Sequence, residues 1–224
     1  MMVQVGMITI GQAPRVDVAP IVEKYLEDRA KLVQVGVLDG LSRSYIEEHL
    51  HPEEGDYVLT SRLTTGESVV MAREKIQPLL QSKIDGLEAE GVKQILLLCT
   101  GQFPGIRTNT AYLIEPDHII PPAVKAMTGN RRLGVIVPLA EQIETLRAKY
   151  EPVGLEPVFA VANPYAHNDS EYRQAVLELK GNVDLILLDC MGYTEQSRKL
   201  VADIADLPVV LSNAIMAKLL SEMM

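Results

Sequence analysis

At 224 residues the chain is long enough for one large domain or for two small lobes, each with an adequate core. Its 30 acidic and 21 basic residues give a formal charge of −9, spread along the sequence with no basic patch, which argues against a nucleic-acid partner. No stretch approaches the roughly 20 apolar residues of a membrane span, and with two Phe, eight Tyr and no Trp the core must be largely aliphatic.

Residues 3–10 read as a strand that stops at Gly11. They carry neither a basic leader nor a small-residue cleavage site and are not read as a signal peptide. Two cysteines are too few for a disulfide framework, so the cytoplasm is the expected compartment. Helical spacing of Val18, Ile21, Val22, Tyr25 and Leu26 predicts a helix within 16–30. A strand over 32–38 closes at Asp39-Gly40, and residues 57–62 and 67–73 flank Thr64-Thr65-Gly66 as a β-hairpin. A helix over 74–90 leads into the apolar run Ile95-Leu96-Leu97-Leu98-Cys99, and a short helix after Pro121-Pro122 ends near Gly129-Asn130.

The pattern then restarts near Arg131: strand 133–137, helix 141–150, strand 158–162, helix 170–180 and a second apolar run, Leu185-Ile186-Leu187-Leu188-Asp189-Cys190. A helix over 195–204 and a strand over 208–211 follow, and Ser212-Asn213 is expected to cap a final helix. Its Met216, Leu219, Leu220 and Met223 stripe fits core packing. Repeated βαβ units imply an α/β fold with parallel sheets covered by helices on both faces. The restart divides the chain into a first lobe of 1–127 plus 213–224 and a second of 128–212, with the last helix returning to pack on the first.

Cys99 and Cys190 end equivalent strands in the two halves, and each is soon followed by glycine. In open α/β sheets the ligand crevice lies beyond the carboxyl ends of the strands. Free cysteine commonly just packs, but a helix N-terminus opening after each strand would stabilise thiolate. One thiolate and one thiol on opposite sides of a carbon could then remove a proton from one face and deliver one to the other. No cysteine–histidine pair has zinc-like spacing, so no metal is expected. His167 lies in a polar loop where it can contact a ligand or be ordinary surface.

Gly11, Gln12 and Arg15 follow the first strand, where such folds bind anions through backbone N–H groups. Neither a G-x-G-x-x-G nor a phosphate-loop Gly-Lys-Ser/Thr is present, which disfavours a nucleotide. Gln12 and Arg15 could hold a small carboxylate, or form a simple turn with an exposed arginine. Arg107 could grip a carboxylate or pair with Glu115 or Asp117. Thr100, Thr194, Ser212 and Asn213 fall just past strand ends, where each can cap a helix, hold a ligand, or do both.

With Thr9-Ile10-Gly11, Ile120-Pro121-Pro122, Gly134-Val135-Ile136-Val137-Pro138, Asn163-Pro164, Leu188-Asp189-Cys190-Met191-Gly192 and Leu211-Ser212-Asn213, the chain resembles the AroM family over nearly its whole length. That family is similar to the aspartate/glutamate/hydantoin racemase superfamily. The run from Cys99 to Gly105 is similar to the hydantoin racemase pattern Cys-Phe-Gly-Asp-Pro-Gly with one extra residue, and Cys190-Met191-Gly192-Tyr193 to its Cys-Ala-Gly-Met. The resemblance implies two pseudo-symmetric Rossmann-like (flavodoxin-like) α/β lobes with an interlobe cleft, no cofactor, and opposed catalytic cysteines, here Cys99 and Cys190. Glutamate racemases carry Asn-Thr and Thr-His after their cysteines and Asp-Ser after the first strand. Here Thr-Gly, Met-Gly and Gly11-Gln12 stand there, so an amino-acid ammonium group would lack its usual partners.

The expected function is a cofactor-independent racemase or isomerase acting at a carbon next to a carboxyl or carbonyl of a small acid. Gly101 and Gly192 N–H groups, with Thr100 and Thr194, would hold the enolate. A lyase or decarboxylase using only Cys190 is a related version. The rival is a non-catalytic ligand-binding or regulatory protein associated with aromatic amino-acid biosynthesis, in which Thr100, Asn109, Thr194 and Asn213 bind a carboxylate metabolite. The expected partner is a small carboxylate metabolite, and the candidate assembly is a homodimer.

Overall fold

The computed structural model describes residues 3–166 and 168–224; His167, singled out above, lies outside them. The first half runs β1 (Val3–Thr9), α1 (Ala19–Leu26), β2 (Ala30–Gly36), α2 (Arg43–His49), β3 (Val58–Arg62), β4 (Ser68–Ala72), α3 (Arg73–Ala89), β5 (Gln94–Leu98), β6 (Tyr112–Ile114) and α4 (Pro116–Thr128). The second runs β7 (Leu133–Val137), α5 (Ile143–Tyr150), β8 (Val158–Val161), α6 (Asp169–Leu179), β9 (Leu185–Leu188), α7 (Glu195–Ala205), β10 (Val209–Leu211) and α8 (Ser212–Ser221).

Two four-stranded parallel sheets result, ordered β2-β1-β5-β6 and β10-β9-β7-β8, and β3 pairs with β4 as a separate antiparallel hairpin. Setting the hairpin aside and counting strands within each half, both sheets have the winding 2-1-3-4. The third strand of each carries the cysteine at its carboxyl end, beside the first strand, where the chain order reverses and ligand crevices form. Thr9 pairs with Leu98 at the end of β1 and Ile136 with Leu188 near the end of β7, so the two ends are in equivalent register.

Alternation along the strands explains why they read as unbroken apolar runs. In β5, Leu96 and Leu98 enter one cluster and Ile95 and Leu97 another. In β9, Leu185 and Leu187 join the former and Ile186 and Leu188 a third. The shared cluster is fed by the inner faces of both sheets and by α1, α4, α5 and α8, so the halves are joined by a common apolar layer. Both faces of each sheet are covered, as parallel sheets require.

The last helix packs on the first: Val22 and Leu26 share that layer with Met216, Ala217 and Leu220. Arg29 donates to the Ser221 carbonyl at 3.1 Å and Gln94 to that of Met223 at 2.6 Å. Three elements differ from the sequence reading. α4 begins at Pro116 and carries Pro121 and Pro122 inside it, with Ile120, Pro121 and Val124 buried in return. α2 buries only Ile46, and β6 has three residues, so neither has a readable period. No helix of the described residues is long and apolar enough to cross a membrane.

Candidate functional site

Cys99 and Cys190 line one shared cavity, together with Tyr57 and Leu59 from the hairpin side, Gln142, and Tyr165. Both thiols are free. The same local device recurs at each: the Gly101 N–H donates to Cys99 Sγ at 3.3 Å, and the Gly192 N–H to Cys190 Sγ at 3.4 Å. Such bonds favour thiolate, but burial outweighs them. It pushes the Cys99 thiol up to about 12, and it also raises Cys190 against the opposing pull of the Gly192 N–H, the Tyr165 hydroxyl and Arg15.

The expected helix N-terminus after the first cysteine strand is corrected. Beyond Cys99 the chain crosses residues 100–111 to reach β6, with no helix there. Beyond Cys190 the expected helix does open: α7 begins at Glu195, with a capping box between Thr194 and Ser197.

The cysteine loops are bridged by a buried charge. Lys149, at the end of α5, places its ammonium 3.2 and 3.0 Å from the two Asp189 carboxylate oxygens and 3.0 Å from the Thr100 carbonyl. Tyr150 donates to Asp189 at 2.7 Å, and Thr100 Oγ1 donates to the Asp189 carbonyl at 3.2 Å. A second buried pair lies on the Cys190 side. Arg15 Nε and Nη2 hold both oxygens of Asp17 at 2.9 and 2.8 Å, Nη1 donates to Thr9 Oγ1 at 3.2 Å, and the guanidinium lies 5.6 Å from the Tyr165 ring centre. The Tyr165 hydroxyl is 3.9 Å from Cys190 Sγ. Its ring covers Gly192 so closely that an added Cβ would overlap the Tyr165 ring and hydroxyl.

The sequence profile described as AroM protein matches residues 5–224. The chain belongs to the AroM family. No curated protein matches its sequence. Among solved structures, this AroM chain resembles the maleate isomerase from Pseudomonas putida (TM-score 0.66, 12% identity, 100% of this chain and 93% of that one). It also resembles an arylmalonate decarboxylase (0.62, 16%, 98% and 93%). A third likeness is to the glutamate racemase from Aquifex pyrophilus (0.61, 15%, 99% and 84%). At these identities the likeness establishes the fold alone, two α/β lobes with parallel sheets.

Within this AroM chain the residues named from sequence divide. Cys99, Cys190, Thr100 and Gly101 line the shared cavity. Gly192 and Thr194 line a neighbouring one with Arg62 and Tyr172. Gly11 packs against the hairpin backbone at Arg62. Gln12 donates to the Leu38 and Leu41 carbonyls and accepts from Thr64, so its amide fastens the hairpin rather than facing a ligand. Asn109 sits on the far surface, where its N–H donates to Glu88. The Arg107 backbone exchanges hydrogen bonds with the Gln81 amide, and among the described residues its guanidinium forms no ion pair with Glu115 or Asp117. Asn213 is wholly buried, and its amide donates to the Met191 and Tyr193 carbonyls. Ser212 donates to that of Leu188, so neither residue caps α8; both lie in its first turn and brace the loop after β9.

Sequence reasoning missed Tyr57, Lys149, Tyr150 and Tyr165. The one local sign was Asp189, a charged residue closing an otherwise apolar run. A buried carboxylate of that kind demands a partner.

Proposed function

We propose that this protein is a cofactor-independent acid–base enzyme moving a proton at a carbon next to a carboxyl or carbonyl of a small acid, with Cys99 and Cys190 as its proton-transfer pair. The observation that carries the reading is one cavity lined by both thiols, each from the third strand of its own sheet. Cys190, whose thiolate the Gly192 N–H, the Tyr165 hydroxyl and Arg15 support against the larger upward push of burial, takes the proton from one face of the carbon. The electron pair moves into the neighbouring carbonyl as an enolate, and the Cys99 thiol delivers a proton to the opposite face. The next turnover runs in reverse from the Cys99 thiolate.

The Gly101 and Gly192 N–H groups serve the sulfurs in this scheme, so another donor must meet the enolate oxygen. Tyr57 suits that role. Its hydroxyl accepts from the Gln102 N–H at 3.2 Å, leaving its own proton for a ligand, and burial keeps the phenol protonated by raising it to about 12.

One feature favours a second version: burial raises both thiols and so favours their protonated forms. In a decarboxylation, loss of CO2 leaves the electron pair on the enolate, and a single neutral thiol, that of Cys190, can protonate it. Incubating the protein with a panel of small carboxylic acids in heavy water separates the readings. Carbon-bound deuterium without CO2 release, abolished by Cys99→Ser and by Cys190→Ser, supports proton transfer between faces. Deuterium with CO2 release, abolished only by Cys190→Ser, supports the single-thiol version. A ligand that raises the melting temperature yet never exchanges, indifferent to both substitutions, would sink the enzyme reading.

A further inference from the structure

Outside the cavity, the start of α4 gathers three metal-binding side chains within four residues. Glu115 immediately precedes the helix, and Asp117 and His118 lie in its first turn. One donor atom from each lies within 4.8 Å of the others. His118 Nδ1 is 3.6 Å from Glu115 Oε1, and Nε2 is 3.7 Å from Asp117 Oδ2. Only one imidazole nitrogen can bind a given ion, so the ring must turn to bring a single nitrogen to both carboxylates, closing the 4.8 Å spread of donor atoms towards the edge of a zinc tetrahedron, about 3.4 Å for donor distances near 2.1 Å.

A second, independent observation concerns Asp117. Its side chain is 5% exposed, and its Oδ1 is buried with no hydrogen-bond partner. A carboxylate in a first helical turn ordinarily accepts from a free N–H, and an orphaned buried oxygen costs free energy until something satisfies it. The nearby cation does not: Lys149 directs its ammonium to Thr100 and Asp189.

We propose that Glu115, Asp117 and His118 form a binding site for a borderline divalent metal ion of the Zn2+ type. Two carboxylates and one imidazole are a donor set suited to such an ion, whereas Ca2+ takes six to eight oxygens and gains little from an imidazole. Asp117 and Glu115 form the fixed, largely buried wall. His118, 70% exposed at its side chain, closes the site from outside by rotating its ring. The remaining coordination positions face solvent.

Calorimetric titration with Zn2+ tests this on the full chain carrying Cys99→Ser and Cys190→Ser, so that thiols contribute nothing. About one equivalent should bind, weakened at least tenfold by His118→Ala and by Asp117→Asn, and Ca2+ at equal concentration should not compete. Zn2+ should raise the melting temperature, and both variants should lose that rise. His118 is exposed and Asp117→Asn preserves shape, so melting curves without metal will show both variants folded. Equal affinity in the variants, no saturable binding up to millimolar Zn2+, or binding that vanishes with the two cysteines would overturn the proposal.

Discussion

Lys149 and Asp189 form an ion pair at 3.0 Å with side chains 1% and 0% exposed, and the same ammonium reaches the Thr100 carbonyl. One charge thus fastens the loop after the first cysteine to the strand before the second. A buried pair contributes little net stability over apolar residues, but removing one partner strands the other. Lys149→Met should therefore cost about 3–5 kcal/mol. Lys149→Met combined with Asp189→Leu should recover much of that loss. Urea-unfolding midpoints of the three proteins decide it; a single variant within about 1 kcal/mol of the parent would contradict the clamp.

Thiol reactivity should follow burial. Cys99 is pushed up to about 12, whereas a cysteine in the unfolded chain titrates near about 8.5. The folded state keeps the proton that the unfolded state releases, so stability falls as pH rises from about 8.5 towards 12. Cys99→Ala should flatten that alkaline decline in melting temperature. Iodoacetamide at pH 7–8 should modify Cys99 in the native protein at least tenfold more slowly than in denaturant. Equal rates in the two states would show the thiol is not shielded.

Gly192 leaves no room for a side chain under Tyr165. Gly192→Ala should displace the ring from Cys190 and cost about 1–3 kcal/mol through overpacking. Tyr165→Phe keeps the ring but removes the hydroxyl 3.9 Å from the sulfur. That hydroxyl favours the Cys190 thiolate, so the midpoint of the Cys190 alkylation profile should move to higher pH. An unchanged or lower midpoint would remove Tyr165 from any role at this thiol.

The Asn213 amide joins α8 to the loop after β9 through two carbonyls. Asn213→Ala leaves those buried acceptors unpaired, and a loss of about 1–3 kcal/mol is expected in urea unfolding. A neutral substitution would mean that the loop finds other donors.

The parts of this fold legible in the sequence are those fixed by local chemistry. The runs before Cys99 and Cys190 read as buried strands because alternate side chains feed apolar clusters on both faces. The hairpin at Thr64-Thr65-Gly66 and the helix after Thr194 carry their turn and cap residues in place. Prolines read as breakers, so the sequence suggests a shorter α4, although burial of Ile120 and Val124 holds the helix through them. The site behaves likewise. Repetition exposed the two cysteines, but Lys149 reads as an ordinary surface lysine until its partner, 40 residues away, is brought beside it. Gln12, Asn109 and Asn213 have the residue types of ligand contacts, and each is spent on holding protein to protein.

The packing of α8 on α1 also constrains how the chain is made. α1 leaves the ribosome early, while the residues that cover it emerge only after the whole second sheet has been synthesised. At about 5–20 residues per second that interval is on the order of tens of seconds. During it Val22 and Leu26 have no Met216 or Leu220 to meet, although β7 to β10 can already pair among themselves. The later-made sheet can thus close before the earlier-made layer is complete. The nascent chain carries a partly uncovered apolar helix that invites chaperone capture until its final turns arrive.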